Sequence, residues 1–335
     1  MAGRRTNLAL LIALAGALAT GATAFALGTG WNRPVTVAHG VIGLAVVALA
    51  PWKVTISRRG LAHRSWRAAS PSLLLAISVV VAVGAGLGHA LGPGRDLGPV
   101  TGMQLHVGAA LVAIPLALWH VVARPVRPRR EDLSRRAVLR AGAVTGGAAA
   151  TWMALEGAAG LMGLSGADRR GSGSYERGTD DPDRMPVTQW LDDSVPSIAV
   201  DDWRLTVRTG DGERALRYDE LPPARDEVRA TLDCTGGWWA EQTWRGLRLA
   251  ELLDGENARS VIVRSATGYS RAFPWGERDS LLLALQVGGR PLSPGHGFPA
   301  RLVAPGRRGF WWVKWVETIE VSDRPSWWQP PFPVT

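Results

Sequence analysis

A single cysteine, Cys234, stands among 335 residues, so no disulfide can form within the chain. A disulfide-stapled scaffold is therefore excluded. By default a lone cysteine is a small buried hydrophobe. Acidic residues are outnumbered, with 29 Asp and Glu against 38 Lys and Arg, which leaves a formal charge of +9. A surplus of this sign suits nucleic acid or an anionic membrane surface. Its location decides between them. The arginines cluster in short loops between apolar runs, so the expected partner is a lipid membrane and not nucleic acid.

Charge is nearly missing from the first 165 residues outside those loops, and what replaces it is Ala, Leu, Val and Gly. Five apolar runs stand out, at 7–28, 35–51, 71–91, 101–123 and 137–164. A helix needs about 20 residues to cross the hydrocarbon, and only helices do so while satisfying their own backbone in one short segment. The pattern predicts an all-α transmembrane bundle of about five helices over 1–165. The last run is Gly-rich and contains Glu156, so its limits are less sharp. Arg4 and Arg5 precede the first run; Lys53, Arg58, Arg59, Arg64 and Arg67 lie between the second and third; Arg124, Arg127, Arg129, Arg130, Arg135 and Arg136 lie between the fourth and fifth. The remaining loops hold only Arg33 and Arg95. The positive-inside rule puts the N-terminus and the arginine-rich loops in the cytoplasm. Five crossings then carry the rest of the chain outside the cell membrane. Ser134-Arg135-Arg136-Ala137-Val138-Leu139-Arg140 before the last run resembles an internal twin-arginine export signal, of the kind that serves proteins folded around a cofactor before crossing.

Histidine is scarce in the second half, where His296 stands alone; the other five fall in the bundle. His39, His89 and His106 fall toward the expected outer face, and His120 toward the inner one. His63 belongs to an inner loop and reads as a headgroup contact. His106 and His120 are 14 residues apart, so on one helix they differ by about 40° in direction and about 21 Å in height. Ionisable groups inside a membrane are costly and default to function. The spacing resembles membrane b-type cytochromes, in which imidazoles from two helices grip haem iron. His39 with His106 is the preferred outer pair and His89 the alternate; an inner haem on His120 has no evident second ligand, because position 53 is Lys. Haem b is the expected bundle cofactor, and electrons would pass to the quinone pool or a redox protein.

Residues 166–185 are small, polar and charged and read as a flexible linker. Beyond them the pattern changes. Strands are predicted at 203–208 and 213–218 around Gly210-Asp211-Gly212, at 227–233 leading into Cys234, and at 260–265, 269–273, 281–287, 300–304 and 315–321, with a short helix over 247–253. Residues 186–335 are thus an α+β domain, mostly β.

Three segments of this domain carry a resemblance. They are Leu232-Asp233-Cys234-Thr235-Gly236-Gly237-Trp238-Trp239 with Trp244-Arg245-Gly246-Leu247; Gly289-Arg290-Pro291-Leu292 into His296-Gly297-Phe298-Pro299-Ala300-Arg301; and Pro305-Gly306 through Gly309-Phe310-Trp311-Trp312-Val313-Lys314-Trp315. In order and spacing they resemble the sulfite-oxidase-type molybdopterin family over about 186–325. The resemblance implies that Cys234 ligates molybdenum. It also implies that His296, Arg301 and Lys314, with main chain at Trp312, Val313 and Lys314, hold the pterin and its phosphate, and that Ser265 touches the cofactor. A thiolate suits a soft ligand site, and a guanidinium fork suits phosphate. Trp238, Trp239, Tyr269 and Arg271 are candidates for the substrate entrance, with Tyr269 and Arg271 as catalytic candidates.

The sequence also departs from the family. Sulfite oxidases follow the cysteine with Ala-Gly-Asn-Arg-Arg and a longer insertion; here Thr235-Gly236-Gly237 follows, and Trp244 comes 10 positions after Cys234. That spacing is more like the periplasmic methionine-sulfoxide reductase subunit, whose N-terminal Asn and Tyr-Glu contacts have no match here. The expected activity is oxygen-atom transfer to or from a small substrate, with S-oxide reduction favoured and sulfite oxidation as the alternative. Two rival classes are a membrane electron-transfer cytochrome with a non-catalytic outer domain and a cofactor-free binding module on an anchor.

Overall fold

The computed structural model describes residues 3–27, 32–61, 66–94, 96–98, 100–190, 193–253 and 258–333. Contacts divide the chain into two units, one made mainly of the residues up to Gly173 and the other mainly of those from Ser174 onward. The expected combination of a helical bundle and a β-rich domain is what the structure contains.

The first unit consists of α1 (Gly3–Ala26), α2 (Asn32–Leu61), α3 (Trp66–Leu91), a two-stranded turn of β1 (Asp96–Leu97) and β2 (Val100–Thr101), α4 (Gly102–Ala123) and α5 (Arg135–Leu161). A reciprocal capping box starts α4: the Gln104 N–H donates to Thr101 Oγ1 at 3.1 Å and the Thr101 N–H to Gln104 Oε1 at 2.8 Å. Four helices, Gly3–Ala26, Arg33–Arg59, Ala69–Leu91 and Gly102–Ala123, are long and apolar enough to cross a membrane. The second extends well past its expected end at residue 51, through Pro51, so Lys53, Arg58 and Arg59 are helical rather than in a loop. Continuing the helix keeps backbone groups satisfied while long basic side chains reach outward.

The fifth run forms a helix, but α5 is not among the four apolar spans. Its small residues, its opening arginines and Glu156 lower its hydropathy. Glu156 is ion-paired with Arg169, which accounts for an acid on this helix. α5 nevertheless runs antiparallel to α2, with Trp152 packed on Gly40. At 27 residues it is about 40 Å long. Arg4 donates to Asp132 at 2.8 Å and Arg5 donates to the Glu131 carbonyl at 2.9 Å, which ties the start of α1 to the turn before α5. At the far end, Gly166 packs against the Ala90 and Leu91 main chain.

The expected flexible linker is a corrected reading: residues 166–185 are ordered and divided between the two units. Thr36 donates to the Gly171 carbonyl at 2.7 Å, and His89 Nε2 bonds the Gly173 carbonyl at 2.8 Å. Ser174, Tyr175 and Met185 are buried in the second unit. Small polar residues suggest a tether when their backbone has no partner, and here it has several.

The second unit has two sheets. The larger holds β3 (Tyr175–Glu176), β6 (Asp226–Cys234), β7 (Trp238–Arg248), β10 (Leu282–Val287), β11 (Arg290–Pro291) and β12 (Arg301–Val303). The other runs in the order β5 (Gly212–Arg217), β4 (Arg204–Thr209), β13 (Val316–Ser322), β8 (Ser260–Ser265) and β9 (Ser270–Pro274). The one-turn helix α6 (Leu249–Leu252) follows β7 directly. The long strand β7 was legible only as motif residues. Its inward side chains, Trp238, Ala240, Gln242 and Trp244, alternate with more exposed ones, the period-two signature of a strand. Gly246 is required where β7 meets β10, because a Cβ there would lie 2.0 Å from the Leu283 carbonyl oxygen. Leu205, Val207, Val261, Val263 and Ile319 of the second sheet join Trp244, Leu247 and Leu283 of the first in one core.

Candidate active site

Cys234 is the last residue of β6, and a tight turn through Gly237, at φ +91°, returns the chain into β7. The Cys234 side chain is half-buried. Its Sγ accepts from the Gly236 N–H at 3.4 Å. The Thr188 hydroxyl, which accepts from the Trp238 indole at 2.9 Å, also bonds it. Burial pushes the thiol up, against the pull of the Gly236 N–H, Arg308, Lys314 and Thr188.

Cations converge on this sulfur. Arg301, at the start of β12, is 1% exposed, and its guanidinium lies over the Trp244 and Trp312 rings at 4.9 and 5.6 Å. One nitrogen donates to the His296 carbonyl at 3.1 Å, while Nε has no partner. Desolvation lowers Arg301 to about 9. Lys314 Nζ donates to the carbonyls of Gly295 and Thr188 at 2.7 and 3.0 Å and to Gln189 Oε1 at 3.2 Å. Desolvation, and then Arg301, lower it to about 7. Neither cation forms an ion pair among the described residues. Buried positive charge without an acid partner is costly. The phosphate of a pterin cofactor would supply the missing anion, so the donor set fits that group.

The other expected residues divide. His296 is buried at the base of the cluster, its Nε2 bonded to the Met185 carbonyl at 3.0 Å and its Nδ1 to Ser293 Oγ at 2.8 Å. Burial, with Arg301 and Lys314 nearby, lowers it to about 4, so the ring is neutral at pH 7. The Trp312 N–H is held by the Gly309 carbonyl within its own turn, and the Val313 carbonyl accepts from the Leu302 N–H, which braces β12. Ser265 ends β8 and its hydroxyl is taken by the Thr267 N–H at 3.2 Å. Tyr269 and Arg271 do not front an open entrance. Tyr269 donates to the Phe310 carbonyl, and Arg271 lies 4.0 Å from the Trp311 ring and donates to the Pro330 carbonyl at 3.2 Å. Burial raises Tyr269 and lowers Arg271 to about 10. Trp238 is likewise buried.

Sequence reasoning missed Thr188, Ser174 and the buried pair of Asp233 with Arg308. The available signal was Asp233, an acid beside a cysteine in a strand leading into the core, which needs a partner when buried.

Residues 192–328 match the family model described as "Oxidoreductase molybdopterin binding domain". The β-rich second unit thus matches a molybdopterin-binding domain, and its relatives include sulfite oxidases. The chain is 27% identical over 167 residues to a mitochondrial sulfite oxidase of Drosophila melanogaster, covering 39% of this chain and 29% of that protein. It is 27% identical over 173 residues to an uncharacterised oxidoreductase of Bacillus subtilis, covering 46% of this chain and 87% of that protein. It is 56% identical over 78 residues to an NADPH nitrate reductase of Mycosarcoma maydis, covering 21% of this chain and 8% of that protein. The chain thus spans less than a third of the sulfite oxidase and less than a tenth of the nitrate reductase.

The bundle holds a second cluster. The His39 and His106 rings meet edge to face with centroids 5.6 Å apart. His39 Nδ1 bonds the Ala17 carbonyl at 3.0 Å, and His106 Nδ1 bonds the Ala82 carbonyl at 2.7 Å. Gly21 and Gly86 make room for them, since a Cβ would come within 3.0 and 2.8 Å of the respective rings. His89 is only 3% exposed and is committed to Gly173, so it does not join this pair. His120 sits apart, 3.4 Å from Ser72 Oγ. His63 lies outside the described residues.

Proposed function

We propose that this chain is a membrane-anchored molybdenum-cofactor oxidoreductase that moves an oxygen atom to or from a small substrate. The observation that carries the reading is Cys234 beside two buried cations, Arg301 and Lys314, that form no ion pair among the described residues. Cys234 would ligate the metal, Arg301 and Lys314 would hold the pterin phosphate, and neutral His296 would brace the loop that carries the Lys314 contact at Gly295. When bound, the cofactor supplies two-electron oxygen-atom chemistry; the protein binds it, shields it from water and sets the charge around it. S-oxide reduction is the favoured direction, resting on the short spacing from Cys234 to Trp244. Sulfite oxidation is the second reading, favoured by the sulfite oxidases among the relatives.

The bundle would anchor the domain. α5 starts at the arginine-rich end and finishes at the other, and its exposed Val138, Leu139, Met153 and Leu161 suit contact with lipid. These features support a fifth crossing, with the molybdopterin-binding domain outside the cytoplasmic membrane. Arg135, Arg136 and Arg140 are exposed, which suits recognition as a twin-arginine signal. His39 and His106 would grip a haem b: a carbonyl on each Nδ1 fixes the tautomer that leaves Nε2 for the metal, and electrons would reach a quinone or a redox protein. The test is metal analysis of the purified full chain, with assays against sulfite and a panel of S- and N-oxides. One molybdenum per chain and turnover are expected, and Cys234→Ser should lose at least about 1000-fold in kcat, on the scale of removing a central catalytic group. A molybdenum-free protein, or full turnover by the Ser variant, overturns the reading.

A further inference from the structure

Asp233 and Arg308 form an ion pair whose side chains are 5% and 2% exposed. A pair of apolar residues could fill such a place with less desolvation, so stability alone is a poor account of it. Its position is informative. Asp233 immediately precedes the proposed metal ligand and bridges in parallel to Arg308. Asp233 Oδ1 accepts from Arg308 Nη1 and, at 2.7 Å, from Ser174 Oγ. The Cys234 carbonyl then lies 3.4 Å from both Arg308 Nη2 and Ser174 Oγ, and it accepts from the Gly237 N–H at 3.2 Å. Gly309 presses on the same point: a Cβ there would sit 3.1 Å from Cys234 Cα. Three separate stretches, ending at 174, 234 and 309, therefore converge on the backbone of one residue.

We infer that Ser174, Asp233 and Arg308 are positioning residues for Cys234, fixing the direction in which its sulfur leaves the strand and holding a charge-balanced ion pair beside the metal thiolate. The inference rests on the reading that Cys234 ligates molybdenum. The Asp233 carboxylate accepts from both the Arg308 guanidinium and the Ser174 hydroxyl, and these two donors in turn hold the ligand's carbonyl. Loosening the clasp lets the thiolate take several orientations. Removing the carboxylate also leaves a positive charge unbalanced near the metal, which favours the more reduced, more electron-rich state.

The experiment uses the molybdenum-loaded full chain and compares wild type with Asp233→Asn, Ser174→Ala, Arg308→Lys and Arg308→Met. X-ray absorption counts sulfur ligands, and redox titration followed by Mo(V) electron paramagnetic resonance gives potentials and line shapes. Expected are an upward shift of the midpoint potential in Asp233→Asn, broadened Mo(V) signals in Asp233→Asn and Ser174→Ala, and a narrower signal in Arg308→Lys than in Arg308→Met. If wild type lacks a cysteine sulfur on molybdenum, the functional reading fails. If wild type has it and the variants match its potential and line shape, this inference fails alone. Should the single variants not fold, the apolar double variant Asp233→Leu/Arg308→Met replaces them, and a wild-type Mo(V) signal from it is equally decisive against the clasp.

Discussion

His296 shows how a residue can matter without being charged. Its pKa is lowered from 6.5 to about 4, first by burial and then by Arg301 and Lys314. A base whose folded pKa is depressed binds its proton more readily in the unfolded chain, so stability rises with pH between the two values. The cofactor-free protein is therefore expected to lose stability as pH falls from about 6.5 to about 4, by on the order of 3 kcal/mol. Thermal unfolding of detergent-solubilised protein across that range checks this, and His296→Gln should flatten the dependence. A stability that is level from pH 7 to 4 in wild type would show the ring to be readily protonated in place. Cys234, Arg301 and Lys314 were legible as residues through their motifs. Their environment was not, because the missing acid partners become evident only when the chain has folded around them.

At the scale of elements, glycine decides where neighbours approach. Gly86 of α3 faces the His106 ring and Gly21 of α1 faces the His39 ring, so the pair is set by four helices although two carry the histidines. If the pair grips a haem, Gly86→Val, whose side chain would enter the space of the His106 ring, should abolish the Soret band while molybdenum content stays at the wild-type level. Unchanged haem in that variant would place any haem elsewhere. Most strands of the second unit were legible from alternation and turns, as β4 and β5 around Gly210-Asp211-Gly212 illustrate. β7 was not, since its three inward tryptophan and glutamine positions look like a motif rather than a period. His89 was read by its depth in a helix, and depth does not reveal that a carbonyl 84 residues onward would occupy it.

At the scale of the whole molecule, the proposed orientation rests on arginine placement and on helix ends. Replacing Arg135 and Arg136 together by Lys is expected to keep the molybdopterin-binding domain in the cytoplasm, reducing its protease accessibility from the outer face of spheroplasts at least about 10-fold, whereas positive-inside charge is unchanged by this swap. Equal accessibility in the Lys variant would mean that the pair acts as charge alone.

Hydrophobic runs, basic loops, the lone cysteine and the three motif segments were sufficient to specify a helical bundle joined to a molybdopterin-binding domain, because period and composition are local properties of a chain. The tertiary structure alone decided that the supposed tether is packed, that Tyr269 and Arg271 are covered, that His39 meets His106 rather than His89, and that Asp233 finds Arg308 from 75 residues away. Each of these depends on which distant groups share a buried volume, and burial sets both the cost of a charge and the partner that must meet it.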